Sequence, residues 1–275
     1  IPSKVDLISV PLASLGVGMA ILAITQGGKW GWSSFSLIFS FVLAGLLVTA
    51  FVIRSQRHSA PLFDLALFRL KTFSVGMVGT VFFMVAFFSW LISLPTFIQS
   101  VWGWSVLKTG FAIAPAPLLT AFVSPPAGRI AERIGNGPLL TIGGALGAAG
   151  LSLHLIFTKI EPDYIKGIFI PGVLIGFAAG FGFAQLIGAA MRDVPRDKFG
   201  MAGAGRTTIF QLALALGVAL AFAIIGRPDN PQAALDGLQA TWILGIACYI
   251  FQIFLFAFFG GPAKTTQTSS ARFTT

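Results

Sequence analysis

Eight apolar runs recur from one end of this chain to the other, each long enough to cross a lipid bilayer, and they leave no room between them for a soluble domain. A membrane-crossing helix needs about 20 apolar residues to cover a hydrocarbon core roughly 30 Å thick. Runs near residues 8–25, 34–53, 73–99, 109–127, 138–157, 168–190, 201–226 and 239–259 meet that test. Membrane-spanning strands would be about ten residues long with alternating polarity, whereas LLTIGGALGAAGLSLHLIF and GLQATWILGIACYIFQIFLFAFF are apolar on every side. Backbone polar groups in lipid must bond within their own segment. Each run is therefore predicted to be a continuous helix, kinked at Pro95, Pro115, Pro117 and Pro171. The predicted fold is an all-α integral membrane protein of about eight transmembrane helices.

Composition agrees. Only 10% of the 275 residues are charged and 56% are hydrophobic, with a mean hydropathy of +0.88, where a soluble domain carries about 25% charged residues. Cys248 is the single cysteine and sits inside an apolar run, so disulfides and cysteine-based metal sites are excluded. The chain begins at Ile1, and no cleavage-site pattern follows the first apolar run. We read it as part of something longer.

The formal net charge of +9 has a topological origin. Counted over alternate connections, one side holds thirteen basic residues (Lys4, Arg54, Arg57, Arg69, Lys71, Arg129, Arg133, Arg192, Arg196, Lys198, Arg206, Lys264 and Arg272). The other holds five, Lys29, Lys108, Lys159, Lys166 and Arg227. The acidic residues divide five to four, so the net charge is +8 on one side and +1 on the other. Cytoplasmic loops carry the excess of Lys and Arg, which places both ends of the chain in the cytosol of a multi-pass cell-membrane protein. The positive charges form no stripe, and no nucleic-acid partner is expected.

Two connections carry similar aromatic pairs, KWGW at 29–32 and VWGW at 101–104. Amphipathic indoles suit the headgroup region, and a stacking site for an aromatic ligand is the alternative. Between the second and third runs, PLFDLALFRLKTF at 61–73 is too short to span and is interrupted by Asp64, Arg69 and Lys71. Its Leu62, Phe63, Leu65, Ala66, Phe68 and Leu70 suit a short helix lying in the cytosolic interface.

PLFDLALFRLKTF, SLPTFIQSVWGWSVLKTGFAIAPAPL at 93–118 and PAGRIAERIG at 126–135 together resemble, in order and spacing, the fourteen-span drug/proton antiporter branch of the major facilitator superfamily. The resemblance covers nearly the whole chain. It implies the last eight of fourteen spans: two linker transmembrane helices (1–60), an interfacial linker helix (61–72), the C-terminal six-helix bundle of a major facilitator fold (73–260) and a cytosolic tail (261–275). It also implies that a six-helix N-terminal half is missing here, and with it the acidic residues tied to proton coupling. The partners it implies are membrane lipids, protons, a small-molecule cargo and that missing half.

GRIAERIG resembles the second-half copy of the superfamily's cytosolic loop motif. There Gly128 would allow close helix approach, Arg133 would supply an ion-pair donor beside Arg129, and Gly135 would turn the chain. Glu132 stands where the motif has Asp, while Asn136 and Gly137 replace basic residues. A loop that only caps two helices is the other reading. GAGRTTIFQLALALG at 203–217 resembles the family's penultimate span. Gln211 matches the family's Gln, Phe210 occupies a position often basic in relatives, and Arg206 is off-pattern.

Gly172, Gly176 and Gly180 recur every four residues, as do Gly143 and Gly147 one span earlier. Such spacing gives a smooth helix face for static packing or for sliding. No nucleotide-binding, zinc-binding or nucleophile motif is present, and the predicted membrane core contains no Asp or Glu. An enzyme is not expected, nor a catalytic residue, a metal or a cofactor. Gln99, Gln185, Gln211 and Gln252 are pathway candidates, because an amide in lipid needs a partner or water, although each could equally bond a neighbouring helix. Arg206 is either a headgroup-reaching anchor or a cavity residue. His154 is expected at the interface rather than as a proton carrier. Proton-coupled efflux of drugs or other amphipathic molecules is the leading function. A non-transporting scaffold or assembly subunit, and an exporter of a lipid or metabolite, are the alternatives.

Overall fold

The computed structural model describes residues 8–31, 33–57 and 65–259, and no strand occurs among them. Helices α1 (Ser9–Trp30) and α2 (Phe35–Arg57) come first. They are followed by α3 (Lys71–Ser100), α4 (Val106–Ile113), α5 (Pro115–Ile134) and α6 (Asn136–Phe157). The last three are α7 (Ile170–Met191), α8 (Phe199–Ile225) and α9 (Pro231–Phe259). With α4 and α5 forming one span, eight helical segments among the described residues are long and apolar enough to cross a membrane.

Most spans outrun the apolar runs that mark them. At 30 residues α3 is about 45 Å long, well beyond the hydrocarbon thickness. Pro95 stays inside it, as do Pro125 and Pro126 in α5. The run at 109–127 is not one continuous helix. It divides at Ala114, because Pro115 and Pro117 remove two amide donors from the turn that would join α4 to α5. Local chemistry sets other boundaries: the Ser105 hydroxyl accepts the amide of Lys108 at 3.3 Å to start α4, and Asn230 Oδ1 accepts that of Ala233 at 2.8 Å to start α9.

Helix α3 is the central element, packed against α7, α8 and α9. Helix α6 lies between α7 and α9, and α5 rests on α7. Helices α1 and α2 pair with each other, and α1 meets α8. Successive spans alternate in direction, so the Trp102 end gathers the α3–α4, α6–α7 and α8–α9 connections. The α1–α2 connection lies at the same end, and the opposite, Arg129 end gathers the α2–α3, α5–α6 and α7–α8 connections; there Lys71 Nζ lies 4.8 Å over the Phe259 ring.

The outer surface carries large apolar side chains such as Phe35, 82% exposed, and Phe122, 75% exposed. These would be costly against water and belong against lipid. Several hydroxyls inside the spans are turned back onto their own helix, as Thr80 onto Gly76 and Thr241 onto Gly237.

Two local expectations meet the structure here. Of the interfacial segment, residues 58–64 lie outside the described residues, as do Trp32 and the 261–275 tail. What is described is a 3-10 turn, Leu65–Arg69. Leu67 is buried against Phe73, Met77, Ala190, Val194 and Ala202, and Ser74 donates its hydroxyl to the Phe68 carbonyl, which docks the turn on the bundle. Trp102 is not a headgroup-belt residue. It is buried, and its indole N–H donates to the Lys159 carbonyl at 2.9 Å, tying the α3–α4 and α6–α7 connections together. Trp104 packs 5.2 Å from it under the Lys108 ammonium, which sits 3.8 Å from the ring.

Candidate functional site

Toward the Arg129 end, α3, α5, α7 and α8 enclose an open-mouthed cavity of about 280 Å³. Each helix supplies a different chemistry. From α3 come Thr80 and Met84, from α5 Ser124, from α7 Phe183, Ala184, Leu186 and Ile187, and from α8 Arg206 and Phe210. Both hydroxyls donate to carbonyls of their own helices, Thr80 to Gly76 and Ser124 to Thr120, each at 2.8 Å. Their lone pairs are left as the acceptors they present to the cavity.

Arg206 is half-buried and has no hydrogen-bond or ion-pair partner among the described residues. A guanidinium in a membrane helix costs about 2.5 kcal/mol or more at the bilayer centre unless it is paired or wetted. Its five donors therefore remain available to an acceptor entering the cavity.

An aromatic cluster closes the inner wall. The Phe183 ring centre lies 5.2 Å from Phe83 and 5.2 Å from Phe87, both edge-on, and 6.4 Å from Phe210. Of these rings Phe183 and Phe210 line the cavity, backed by the other two, and they can meet a flat apolar group by edge or face contacts. The arrangement as a whole suits an amphipathic molecule, with an apolar or aromatic body against the phenylalanines and a polar acceptor toward Arg206.

The four glutamines separate. Gln185 is buried with its Nε2 unpaired. Gln252 is also buried; it donates Nε2–H to the Leu140 carbonyl at 3.1 Å, joining α9 to α6, and its Oε1 has no partner. Gln99 and Gln211 are exposed, Gln99 at the Trp102 end of α3 and Gln211 midway along α8. Only Arg206 of the sequence candidates lines this cavity.

In the loop motif, Arg129, Glu132 and Arg133 are exposed, and Gly135 ends α5 at φ +89°. A side chain added at Gly128 would meet nothing within 4 Å among the described residues, so no helix of theirs approaches it closely. The packing glycines are not equivalent either. A Cβ at Gly176 would stand 2.7 Å from the Ala116 carbonyl oxygen, and one at Gly180 2.6 Å from Val123, so α5 lies directly on α7 there. The Thr120 hydroxyl reaches the Gly176 carbonyl at 3.1 Å across that contact. Gly172 has no such neighbour. Gly143 faces α7 near Ala178 and Phe181, whereas Gly147 faces the Tyr249 ring of α9.

His154, expected at the interface, is fully buried. Its Nδ1 lies 2.8 Å from the Gly167 carbonyl, which can only accept, so Nδ1 carries the proton. Nε2 then accepts the indole N–H of Trp90 at 3.0 Å, and the Trp242 ring stacks at 4.9 Å. Thr80, Ser124 and this histidine cluster have no signature in the sequence. The two hydroxyls reach the cavity only because α3 and α5 face it, and the partner of His154 lies in another helix, 64 residues away at Trp90.

A family model described as Major Facilitator Superfamily matches residues 7–218 of the chain. Among curated relatives, the lincomycin resistance protein LmrB of Listeria monocytogenes is 27% identical over 260 residues, which cover 88% of this chain and 54% of that protein. The multidrug resistance protein Stp of Mycobacterium tuberculosis is 29% identical over 225 residues, covering 81% and 40%. The probable multidrug resistance protein EmrY of Escherichia coli is 24% identical over 230 residues, covering 83% and 45%. The chain thus spans about half the length of the curated relatives it matches.

Proposed function

The chain belongs to the major facilitator superfamily, and from that premise we propose that it is the C-terminal part of a fourteen-span transporter that expels amphipathic small molecules, drugs included, in exchange for protons. The single observation that carries this reading is the cavity between α3, α5, α7 and α8. It sets one unpaired guanidinium, two hydroxyls and an aromatic wall around a space open at its mouth. The resistance proteins it resembles bring the expectation of efflux; the cavity brings the expectation of a cargo with an apolar body and an acceptor group.

In this reading the cavity opens toward a second six-helix half, which supplies the other wall and the acidic residue that takes up the proton. Alternating access then follows from two bundles rocking about a central site. The two-helix pair α1–α2 links the halves, the protein lies in the cell membrane, and both ends of this chain are cytosolic. Lincomycin and other amphipathic antibiotics are the first cargoes to examine.

The test is efflux of a fluorescent amphipathic dye from cells that express the full-length protein, with and without a protonophore. Expression should lower dye retention, and collapse of the proton gradient should restore it. Retention that does not depend on expression overturns the transporter reading, and efflux that survives the protonophore overturns the proton coupling.

A further inference from the structure

We propose that residues 165–170 form a hinge at the Trp102 end of α7, held in a wide register by Thr158 and His154. In a regular α-helix the Gly167 carbonyl would accept the amide of residue 171, and residue 171 is proline, which has none and whose ring would strike that carbonyl. The chain resolves the conflict by widening. Residues Ile165–Phe169 form a π-helical turn, with the Ile170 amide bonded to the Ile165 carbonyl five residues back.

The freed Gly167 carbonyl then receives two donors from α6 and its end, the Thr158 hydroxyl at 2.8 Å and His154 Nδ1–H at 2.8 Å. All three groups are buried, so the carbonyl would be orphaned without them. The same histidine is held on its other nitrogen by Trp90 of α3.

Wide turns of this kind hold one residue more than an α-turn and are frequent at functional sites. Tightening this one by a residue would rotate the segment before it by about 100° relative to α7. Two side chains ride on that segment. Phe169 lines the narrow gap between α3, α4, α5 and the start of α7, together with Trp90 and Ala112. Tyr164 reaches the Ala112 carbonyl at 3.4 Å and packs 6.4 Å from Trp104. A change of register at 165–170 therefore swings Phe169 across the gap and lifts Tyr164 from α4, opening or closing the bundle at this end. The hinge itself does not depend on the transport reading; only its place in a transport cycle rests on it.

Hydrogen exchange of the full-length protein in lipid nanodiscs tests the hinge, read on the peptide covering 164–170. Thr158→Val removes one donor at nearly constant shape and should speed exchange there about fivefold, the size of one net hydrogen bond, with α9 unchanged. Pro171→Ala gives back an amide for the Gly167 carbonyl, so it should slow exchange and make Thr158→Val silent in the same chain. His154→Leu, which removes the second donor, should behave like Thr158→Val and be rescued by the same alanine. Unchanged exchange in Thr158→Val, or a full Thr158→Val effect persisting beside Pro171→Ala, overturns the proposal. In the dye assay Pro171→Ala should reduce efflux at least tenfold at unchanged expression, and unchanged efflux overturns the hinge's place in the transport cycle; a wild type without efflux, where the variants show the exchange pattern, fails the transport reading alone.

Discussion

The indole N–H of Trp90 donates to Nε2 of His154 at 3.0 Å, so one hydrogen bond joins α3 to α6 and fixes which imidazole nitrogen carries the proton. The pair is sealed from solvent, with Trp242 stacked on the imidazole. Trp90→Phe keeps an aromatic ring but deletes the donor along with part of the indole, leaving a buried lone pair without a partner. The purified protein should lose about 1–3 kcal/mol of stability, read as a lower unfolding temperature. An unchanged midpoint would mean that the bond contributes nothing net.

Gly172 and Gly176 share one four-residue spacing but not one environment, so alanine should separate them. At Gly176 the new methyl would meet the Ala116 carbonyl at 2.7 Å and part α5 from α7, breaking the Thr120 bond as well. At Gly172 it would meet nothing within 4 Å, and alanine is the better helix former by about 1 kcal/mol. Thermal stability in detergent should fall for Gly176→Ala and hold or rise for Gly172→Ala. Equal losses at both positions would refute the distinction.

Topology is testable with single cysteines in a Cys248→Ser background, the native thiol being buried. Cysteines at Asp163 and Asp229 should react with an impermeant thiol reagent added to intact cells, and those at Asp64 and Asp197 only after permeabilisation. The reverse pattern would invert the orientation drawn from the thirteen-to-five division of basic residues.

Arg206 separates a cavity role from a headgroup anchor. Arg206→Lys keeps the charge and the reach but loses the planar five-donor fork. In the full-length protein both Arg206→Lys and Arg206→Gln should cut dye efflux about tenfold or more while expression holds, the loss of one charge-assisted pairing. Unchanged efflux in both variants would remove Arg206 from the pathway.

The sequence by itself determined how many times this chain crosses a membrane and that it does so as helices. Segment length, apolarity and the distribution of lysine and arginine are local or additive properties, readable without knowing which helix touches which. Gly135 at the end of α5 and Pro115 at the break before it belong to the same class, since each acts on its own turn. The tertiary structure alone decided which polar groups meet. Gln185 and Gln252 went inside and Gln99 and Gln211 outside, although all four look alike within their apolar runs. The rotation of a helix that is apolar all round is set by its neighbours and not by its own pattern. For the same reason Gly172 could not be told from Gly176, nor His154 placed beside Trp90 and Gly167. Those assignments depend on close approach between helices distant in sequence, where shape complementarity and the pairing of buried donors with acceptors select the arrangement.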